Sequence, residues 1–319
     1  MTHDLYCGID IGGTKTAVGL ASDGGGILRK AVIPTSQDPV EALEDMKAGI
    51  LGLMGPAVLP TDSRRGGGKG GAAGSPDGEE TQAAVAPAGK PRLVRIGIGS
   101  PGPVDASGGV VLGTPNLPRW RGVRLKDFLG KAFGCEVVVE NDADSAALAE
   151  YCRGAGTGVR HMVYLGLGTG VGSGAIKEGR IVRGARGTHP ELGHQTINPD
   201  GPLCGCGNRG CLESYVSGSG IRRLTGQNPQ DIRDPSFWQD TGRLLGVGLA
   251  NVATMLVPDR IVLGGGLLGV GDVLIESARS YIDGVALLVP RPEVVAAGLG
   301  QDAGLVGAVL LALGGEEAS

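Results

Sequence analysis

A short stretch of the chain, residues 191–213, is rich in side chains that bind metal ions. It reads ELGHQTINPDGPLCGCGNRGCLE and holds one histidine, three cysteines and two glutamates. His194, Cys204, Cys206 and Cys211 form the Cys3His set that a closed tetrahedral zinc site uses. The alternative is a disulfide loop, but cysteines one residue apart rarely reach disulfide geometry, and three cysteines leave one unpaired. The pattern therefore favours zinc.

The two glutamates at the ends of this stretch, Glu191 and Glu213, are not needed as zinc ligands. They are therefore free to bind another molecule. Gly205, Gly207 and Gly210 allow the loop between them to fold tightly around an ion.

Three glycine-rich turns predict a site for phosphate groups. In the first, DIGGTK at 10–15, glycines let backbone N–H groups approach an anion, and a threonine and a lysine follow. The turns at 168–170 and 264–266 each follow a short apolar run. None of them matches GxxxxGK[ST] or a dinucleotide fingerprint, but turns that face each other suggest a nucleotide held between domains. The candidate nucleotide-binding residues are Asp10, Gly12, Gly13, Thr14, Lys15, Gly168, Thr169, Gly170 and Gly265.

Glycine supplies 61 of the 319 residues, so short glycine motifs arise by chance more often than usual. An ordinary hairpin turn therefore remains the alternative for the first turn.

A candidate base lies in the sequence Glu140-Asn141-Asp142, where a predicted strand is followed by a helix. That position exposes side chains at the carboxyl edge of a sheet. Asp142 can accept a proton there, but a helix N-cap is the alternative and is the usual role of such a residue.

The elements that position these residues follow from apolar patterning. Strands are predicted at 5–9, 16–21, 27–33, 93–98, 137–140, 162–167, 172–177 and 261–263. Helices are predicted at 40–53, 143–152, 212–216, 238–256 and 305–313. Each half thus offers a strand, a glycine turn, a returning strand and then helices, which indicates an α/β chain and suggests an internal duplication.

Composition narrows the function further. A net charge of −4 without a basic stripe argues against a nucleic-acid partner. The first ten residues lack the pattern of a signal peptide, and no apolar run reaches the ~20 residues that a bilayer needs.

Cys7, Cys135 and Cys152 look like small buried hydrophobic residues and fit a reducing cytoplasm. Residues 61–90 are almost devoid of large apolar side chains and are predicted to be a flexible surface insertion.

Taken together, the motifs resemble the ROK family of sugar kinases. The resemblance rests on DIGGTK, SPGPVD, TPNLPRW, ENDADSAALAE, LGTGVGSG, ELGH with CGCGNRGCLE, and LANVATMLVPDRIVLGGG, and it extends from Cys7 to about Leu313. It implies the actin-like ATPase (ribonuclease H-like) fold, with two α/β domains around a cleft. We expect a small domain at 1–120, completed by a C-terminal helix at 300–319, and a large domain at 121–299 that carries the zinc loop. The repressor branch has a helix-turn-helix before the glycine motif, for which DIGGTK at Asp10 leaves no room.

The resemblance also implies residue roles. Asp142 would be the base that accepts the sugar hydroxyl proton, ionised at neutral pH with an ordinary pKa of ~3.9. Mg²⁺ on the ATP phosphates would lie near Asp10, and zinc would organise the sugar pocket structurally, with His194 placing one nitrogen on zinc and the other on the sugar. The residues expected to hold sugar hydroxyls are Asn116, Asn141, Asp142, Glu191, His194 and Glu213.

The resemblance favours the glucokinase-like branch and a homodimer, and the cysteines and the lack of a signal peptide predict a cytoplasmic location. Pro190 and Arg119 depart from the glucokinase pattern, and HPELGH looks like the fructokinase branch, so fructose, mannose and N-acetylated hexosamines, including N-acetylmannosamine, follow glucose as candidate substrates. Two other classes remain as alternatives. They are a sugar-binding regulator without turnover and a zinc hydrolase, although a hydrolase needs an open metal position.

Overall fold

The computed structural model describes residues 4–55, 91–114 and 116–315. The predicted flexible insertion at 61–90 lies outside the described residues. The strands are β1 (Asp4–Ile11), β2 (Lys15–Ala21), β3 (Ile27–Pro34), β4 (Arg92–Ser100), β5 (Val104–Asp105), β6 (Val110–Val111), β7 (Glu136–Asn141), β8 (His161–Leu167), β9 (Val171–Lys177), β10 (Arg180–Ile181), β11 (Arg260–Gly264) and β12 (Glu293–Ala296). The helices are α1 (Pro39–Met54), α2 (Leu125–Phe133), α3 (Asp142–Arg153), α4 (Glu213–Val216), α5 (Gly218–Thr225), α6 (Pro235–Leu256), α7 (Val273–Gly284) and α8 (Ala303–Ala312).

The strands form two five-stranded sheets with the same internal order. The first sheet runs β3-β2-β1-β4-β7 and the second runs β10-β9-β8-β11-β12. In each sheet the first three strands are antiparallel, and the last two run parallel to the central strand. This repeated topology agrees with the suggested internal duplication.

Helix α1 shows how the sequence builds the outer layer of the first sheet. Asp38 caps the helix by accepting from the N–H groups of Val40 and Glu41, and Pro39 occupies the first turn. Its buried residues are Ala42, Met46 and Ile50, which recur every four positions and therefore lie on one face. These side chains join the core of the first sheet.

Two helices, α3 and α8, pack between the sheets. Helix α3 contacts β4 and β7 of the first sheet and β8 and β9 of the second, and α8 contacts α3, β1 and β4. A Cβ atom on Gly97 would lie 2.0 Å from the carbonyl oxygen of Ala308, and one on Gly307 would lie 1.9 Å from that of Ser145. The absence of side chains at these glycines therefore lets α8 approach both β4 and α3 at backbone contact.

The domain boundary expected after residue 120 is too early. Strand β7 forms a parallel pair with β4, and helix α2 packs on β7, so both belong with the first sheet. The reason is that the chain leaves β4 through the loop at 101–124 and then returns to the same sheet. We propose that the first domain runs to Asn141 and is completed by α8, which packs on β1 and β4.

None of the described helices is both long enough and apolar enough to cross a membrane.

Candidate active site

The parallel strands of the first sheet bring Asp10 and the Asn141-Asp142 pair to one edge. Asp10 at the end of β1 pairs in register with Gly99 of β4, and Gly99 pairs with Glu140 of β7. A Cβ atom on Gly99 would come within 2.9 Å of the Ser145 hydroxyl oxygen, so this position leaves room for the first turn of α3. The edge therefore carries two aspartates next to a helix N-terminus.

Asn141, and not Asp142, caps helix α3. The side-chain oxygen of Asn141 accepts hydrogen bonds from the N–H groups of Ala143 at 2.8 Å and Asp144 at 3.4 Å. Asp142 is the first residue of the helix, and its carboxylate accepts from the adjacent Ala143 N–H at 2.9 Å. The N-cap alternative for Asp142 is therefore wrong.

The carboxyl groups at this edge have raised pKa values. Burial, followed by the charge of Asp10, raises the pKa of Asp142 to about 7. Burial raises the pKa of Asp10 to about 6, and Lys30 opposes the shift. The expectation of an ordinary pKa near 3.9 for Asp142 is therefore wrong, because that value assumes a solvated carboxylate.

The first glycine turn uses one of its N–H groups internally. The Gly12 N–H donates to the carbonyl oxygen of Lys15 at 2.9 Å. The N–H groups of Gly13 and Thr14 donate to no backbone carbonyl among the described residues. Asn116 lies beside this turn, since a Cβ atom on Gly13 would be 3.1 Å from the Asn116 Cβ. The turn therefore keeps two donors for an anion.

The second glycine turn, between β8 and β9, has a similar arrangement. The Gly168 N–H donates to the Gly170 carbonyl oxygen at 2.9 Å, while the N–H groups of Thr169 and Gly170 bond to no described backbone carbonyl. The start of helix α5 is fixed to this turn, because the N–H groups of Gly218 and Ser219 donate to the carbonyl oxygens of Gly168 and Thr169 at 2.8 and 3.0 Å.

The third turn packs against the second. Gly264 of β11 pairs with Gly166 of β8, and the next residue, Gly265, has a φ of 94°. A Cβ atom on Gly265 would lie 2.3 Å from the carbonyl oxygen of Leu167, so a glycine is needed here both for its φ and for space.

A cavity of about 830 Å³ opens beside the second and third turns. This volume falls within the range of small-molecule pockets. Its lining includes Gly168, Thr169, Ser219, Arg222, Trp238 and Gly266. Ser219 and Arg222 on α5 and Trp238 on α6 were not predicted from the sequence, because these helices carry no recognised nucleotide-binding motif.

The predicted zinc ligands converge. One donor atom from each of His194, Cys204, Cys206 and Cys211 lies within 4.8 Å of the others. The sulfurs of Cys206 and Cys211 are 3.7 Å apart, and the sulfur of Cys204 is 3.7 Å from Nδ1 of His194. Zinc–sulfur bonds of about 2.3 Å give tetrahedral edges of about 3.8 Å, whereas a disulfide needs about 2.05 Å. All three thiols are free, and the donor set fits zinc.

Glu213 lies between the cysteine loop and the second glycine turn. One carboxylate oxygen accepts from the N–H of Val171 at 2.9 Å, and the other lies 3.6 Å from the sulfur of Cys204. A Cβ atom on Gly170 would be 2.6 Å from this carboxylate. The predicted sugar ligand therefore sits directly at the predicted phosphate turn.

Glu191 is held by a residue that the sequence did not single out. Nε2 of His189 lies 3.2 Å from a carboxylate oxygen of Glu191, and this hydrogen bond lowers the pKa of Glu191. The His189 ring also reaches α3, since its Nδ1 lies 3.6 Å from a carboxylate oxygen of Asp144. Glu191 is therefore linked to the N-terminus of α3.

Arg119, one of the two departures from the glucokinase pattern, bonds to Asp38 at 2.9 Å. Both side chains are well exposed, and Asp38 is the N-cap of α1. Its observed contact is thus with a helix end and not with the predicted sugar ligands.

Comparison with known proteins identifies the family. Residues 82–314 match the ROK family. The chain belongs to the ROK family. Glucokinases resemble this ROK protein along nearly their whole length: that of Thermotoga maritima is 32% identical over 94% of this chain and 95% of that protein, and that of Streptomyces coelicolor is 33% identical over 97% of each.

Solved ROK structures share the fold. The ROK hexokinase from Thermus thermophilus is 31% identical, with a TM-score of 0.77 over 99% of this chain and 100% of that chain. A ROK family glucokinase from Streptomyces griseus, in complex with glucose and AMPPNP, is 30% identical, with a TM-score of 0.73 over 97% and 99%. The predictions of a glucokinase-like ROK sugar kinase and of an actin-like fold with two α/β domains are confirmed.

Proposed function

We propose that this ROK kinase transfers the γ-phosphoryl group of ATP to a hexose, and that it converts glucose to glucose 6-phosphate. The observation that carries the proposal is the placement of Asp142 at the N-terminus of α3, on the same sheet edge as Asp10. The full-length likeness to glucokinases supports glucose as the acceptor. The glucose and AMPPNP bound by the Streptomyces griseus relative support the two substrates.

In the proposed reaction, Asp142 accepts the proton of the attacking sugar hydroxyl. The hydroxyl oxygen forms a bond to the γ-phosphorus as the bond from that phosphorus to the β-phosphate oxygen breaks, and ADP leaves. Positioning and charge stabilisation dominate such a transfer. The N–H groups of Gly13, Thr14, Thr169 and Gly170 are the donors for phosphate oxygens, because they are unused by described backbone carbonyls.

The cavity beside the second and third turns is the proposed site of the nucleoside. It adjoins Thr169, whose N–H is a proposed phosphate donor, and it is lined by Trp238 and Arg222. Gly265, at the third turn, keeps the neighbouring backbone close to β8. A nucleotide in this cavity would have its phosphates directed towards the second turn.

Asp10 fits a role near Mg²⁺. Its carboxylate is partly buried, which raises its pKa to about 6. The charge of Asp10 also raises the pKa of Asp142. A bound Mg²⁺ supplies positive charge that neutralises the transferring phosphate and the carboxylates around it. Asp10 would hold the ion, directly or through water, and Lys15 follows in the same turn.

The Cys3His cluster is proposed to hold a structural zinc ion. Because Nδ1 of His194 faces Cys204, Nε2 is the nitrogen left for a sugar hydroxyl. Four protein ligands leave no open position, so the zinc hydrolase alternative is not favoured. With zinc bound, the loop would fix His194 and Glu213 in the sugar pocket.

The sugar hydroxyls are proposed to bind Asn116, Asn141, Glu191, His194 and Glu213. Carboxylates suit this task because they accept hydrogen bonds from neighbouring hydroxyls. Sites that hydrogen-bond a hydroxyl also reject sugars that lack it. A cytoplasmic location remains a prediction from the cysteines and the N-terminal sequence, and a homodimer remains a prediction from the family resemblance.

The test is ADP release with Mg–ATP and a panel of glucose, fructose, mannose, N-acetylglucosamine and N-acetylmannosamine. A preference for glucose supports the proposal. In Asp142→Asn, turnover with glucose should fall by about a thousandfold, while calorimetry should still show glucose binding. Asp127→Asn, an exposed carboxylate paired with Arg124, is the control and should keep full activity. A sugar-binding regulator would instead show no turnover in the wild type.

Polyphosphate belongs in the same panel as an alternative donor. The polyphosphate/ATP-glucomannokinase of an Arthrobacter strain shares the fold, at 27% identity and a TM-score of 0.61. Turnover with polyphosphate equal to that with ATP would contradict ATP as the preferred donor.

A further inference from the structure

The loop from 182 to 191 carries Glu191 and is held against β7 and α3 by charged side chains. Arg183 contacts the buried carboxylate of Glu140, the residue before the Asn141 cap. Further along, Nδ1 of His189 lies 3.6 Å from a carboxylate oxygen of Asp144 in the first turn of α3. The loop is thus tied to the same segment that carries the proposed base.

Asp144 is an unusual partner for His189. Its side chain is fully buried, and neither carboxylate oxygen accepts a hydrogen bond from any residue that the structure describes. A buried carboxylate without hydrogen bonds is costly. The proposed reaction gives Asp144 no role, so its burial beside His189 calls for another explanation.

His189 faces both carboxylates at once. Its Nε2 donates towards Glu191 at 3.2 Å and its Nδ1 faces Asp144 at 3.6 Å, with only 10% of the side chain exposed. Burial alone would lower the pKa of His189, but the hydrogen bond to Glu191 and the charge of Asp144 outweigh it and raise the pKa. Burial also raises the pKa of Asp144 to about 8. The ring can hold both partners in either state, because a protonated ring donates to both and a neutral ring donates from Nε2 to Glu191 while Nδ1 accepts from a protonated Asp144.

The backbone around Glu191 has a separate support. The hydroxyl of Ser173 in β9 donates to the Pro190 carbonyl oxygen at 2.6 Å and accepts from the Leu192 N–H at 3.0 Å. The loop backbone therefore has a support besides the contact of His189 with Asp144. What His189 fixes is the side chain of Glu191, of which 48% is exposed to solvent.

We infer that His189 is a positioning residue that holds the Glu191 carboxylate in place for the sugar, anchored by the buried Asp144 two residues beyond the proposed base. The inference rests on the proposed function. An exposed glutamate side chain loses rotamer freedom when a ligand orders it. His189 orders it before the sugar arrives, so its loss should weaken sugar binding and leave the phosphoryl-transfer step largely unchanged.

Three substitutions separate the two contacts of His189. His189→Ala removes both, and we expect KM and Kd for glucose to rise about tenfold, as for loss of one charge-assisted hydrogen bond, with kcat and the ATP KM within about twofold. His189→Gln places an amide N–H near the position of Nε2 and should restore most of the affinity. His189→Asn reaches only the Asp144 side and should behave like His189→Ala.

The His161→Asn variant is the matched control. Nε2 of His161 also lies near a glutamate, 4.0 Å from a carboxylate oxygen of Glu178, but His161 is at the start of β8 and outside the proposed sugar site. It should leave glucose KM unchanged. A double-mutant cycle of His189→Ala with Glu191→Gln should show strong non-additivity in glucose Kd. Thermal midpoints of all variants separate loss of fold from loss of affinity.

Wild-type turnover is measured first, because its absence with every hexose defeats the proposed function itself. With wild-type turnover established, three results would overturn the inference alone. They are an unchanged glucose KM in His189→Ala, an equal loss in kcat, and additive effects of the two substitutions.

Discussion

Asp142 and Asp10 form a pair of carboxyl groups whose surroundings disfavour their charges. Burial and mutual repulsion raise the pKa of Asp142 to about 7 and burial raises that of Asp10 to about 6. A base with a pKa near the working pH is well matched to proton transfer. The same repulsion makes the site attractive to a cation, which fits Mg²⁺ as a partner of the ATP phosphates.

The first prediction concerns the pH dependence of turnover. Only the ionised form of Asp142 can accept a proton, so kcat/KM for glucose should rise with pH and level off above an apparent pKa near 7. In the pH profile of kcat, where Mg–ATP is bound to the enzyme, the apparent pKa should be lower, because the nearby cation favours the ionised carboxylate. The measurement is a steady-state pH profile between 5 and 9.

The residual activity of Asp142→Asn serves as the control, since it should lack this break. A wild-type profile that stays flat down to pH 5 would show that Asp142 has an ordinary pKa and that its burial does not control its charge.

At the scale of elements, α3 is fixed at both ends by side chains that accept backbone N–H groups. Asn141 does so at its start. At its end the fully buried Glu150 accepts from the N–H groups of Ala155 at 2.8 Å, Gly298 at 2.9 Å and Leu299 at 2.8 Å. Glu150 therefore connects α3 to the segment that leads into α8.

The second prediction is that Glu150→Ala lowers the free energy of unfolding by about 5 kcal/mol, near the lower end of the range for three hydrogen bonds to one carboxylate. The substitution leaves three N–H groups without their acceptor in the interior, and hydrogen bonds to a charged group contribute about 1.5–3 kcal/mol each. Urea denaturation measures the loss. The matched control is Glu293→Ala, an exposed partner of Arg260, which should cost at most about 1 kcal/mol. Equal losses in the two variants would contradict the role of Glu150.

The cysteine loop has several backbone hydrogen bonds of its own. The N–H of Leu212 donates to the Gln195 carbonyl oxygen at 2.9 Å, and that of Cys204 donates to the Asn208 carbonyl oxygen at 2.7 Å. An ion bound by four side chains would add to these bonds and fix the ligand side chains against one another. Because His194 belongs to the cluster and Glu213 follows it closely in the chain, the stability of the loop bears on the proposed sugar site.

The third prediction is that the purified protein holds one zinc ion per chain. Removing this zinc with a chelator should raise KM for glucose about tenfold, because His194 and Glu213 then lose their fixed positions. Elemental analysis and sugar kinetics before and after chelation measure this. Cys206→Ser should act in the same direction, while Cys152→Ser, outside the cluster, should change neither zinc content nor KM. Unchanged sugar affinity in fully metal-free protein would rule out zinc as the organiser.

At the scale of the whole molecule, local patterns predicted most strands but not how the halves are joined. The glycine turns after β1 and β8 and the apolar runs before them placed those strands within a few residues, because both signals are local. Pairing of β7 with β4 is a long-range contact, so the domain boundary was placed too early. Helix α5 was missed because it is short and begins with Gly-Ser-Gly, a weak helix former.

The site shows the same division between local and tertiary information. The four predicted zinc ligands all lie between His194 and Cys211, so their convergence could be predicted from the spacing of one dense motif. The contact of His189 with Asp144 joins residues far apart in the chain. The raised pKa of Asp142 depends on burial, which residue types alone do not reveal.

The last prediction tests how the two halves are held together. Helices α3 and α8 meet where Gly307 faces the backbone of Ser145, and a Cβ atom there would lie 1.9 Å from a carbonyl oxygen that cannot move without its helix. Gly307→Ala should therefore force the helices apart and lower the free energy of unfolding by about 3 kcal/mol.

The control is Gly52→Ala in α1, where a Cβ atom meets nothing within 4 Å. This substitution should stabilise the protein by about 0.5–1 kcal/mol. Because α8 packs on β1, which carries Asp10, and on α3, which carries Asp142, Gly307→Ala should reduce kcat as well, and Gly52→Ala should not. If Gly307→Ala were as stable as the wild type under urea denaturation, the two helices would not be in backbone contact, and the arrangement of the active site would need another support.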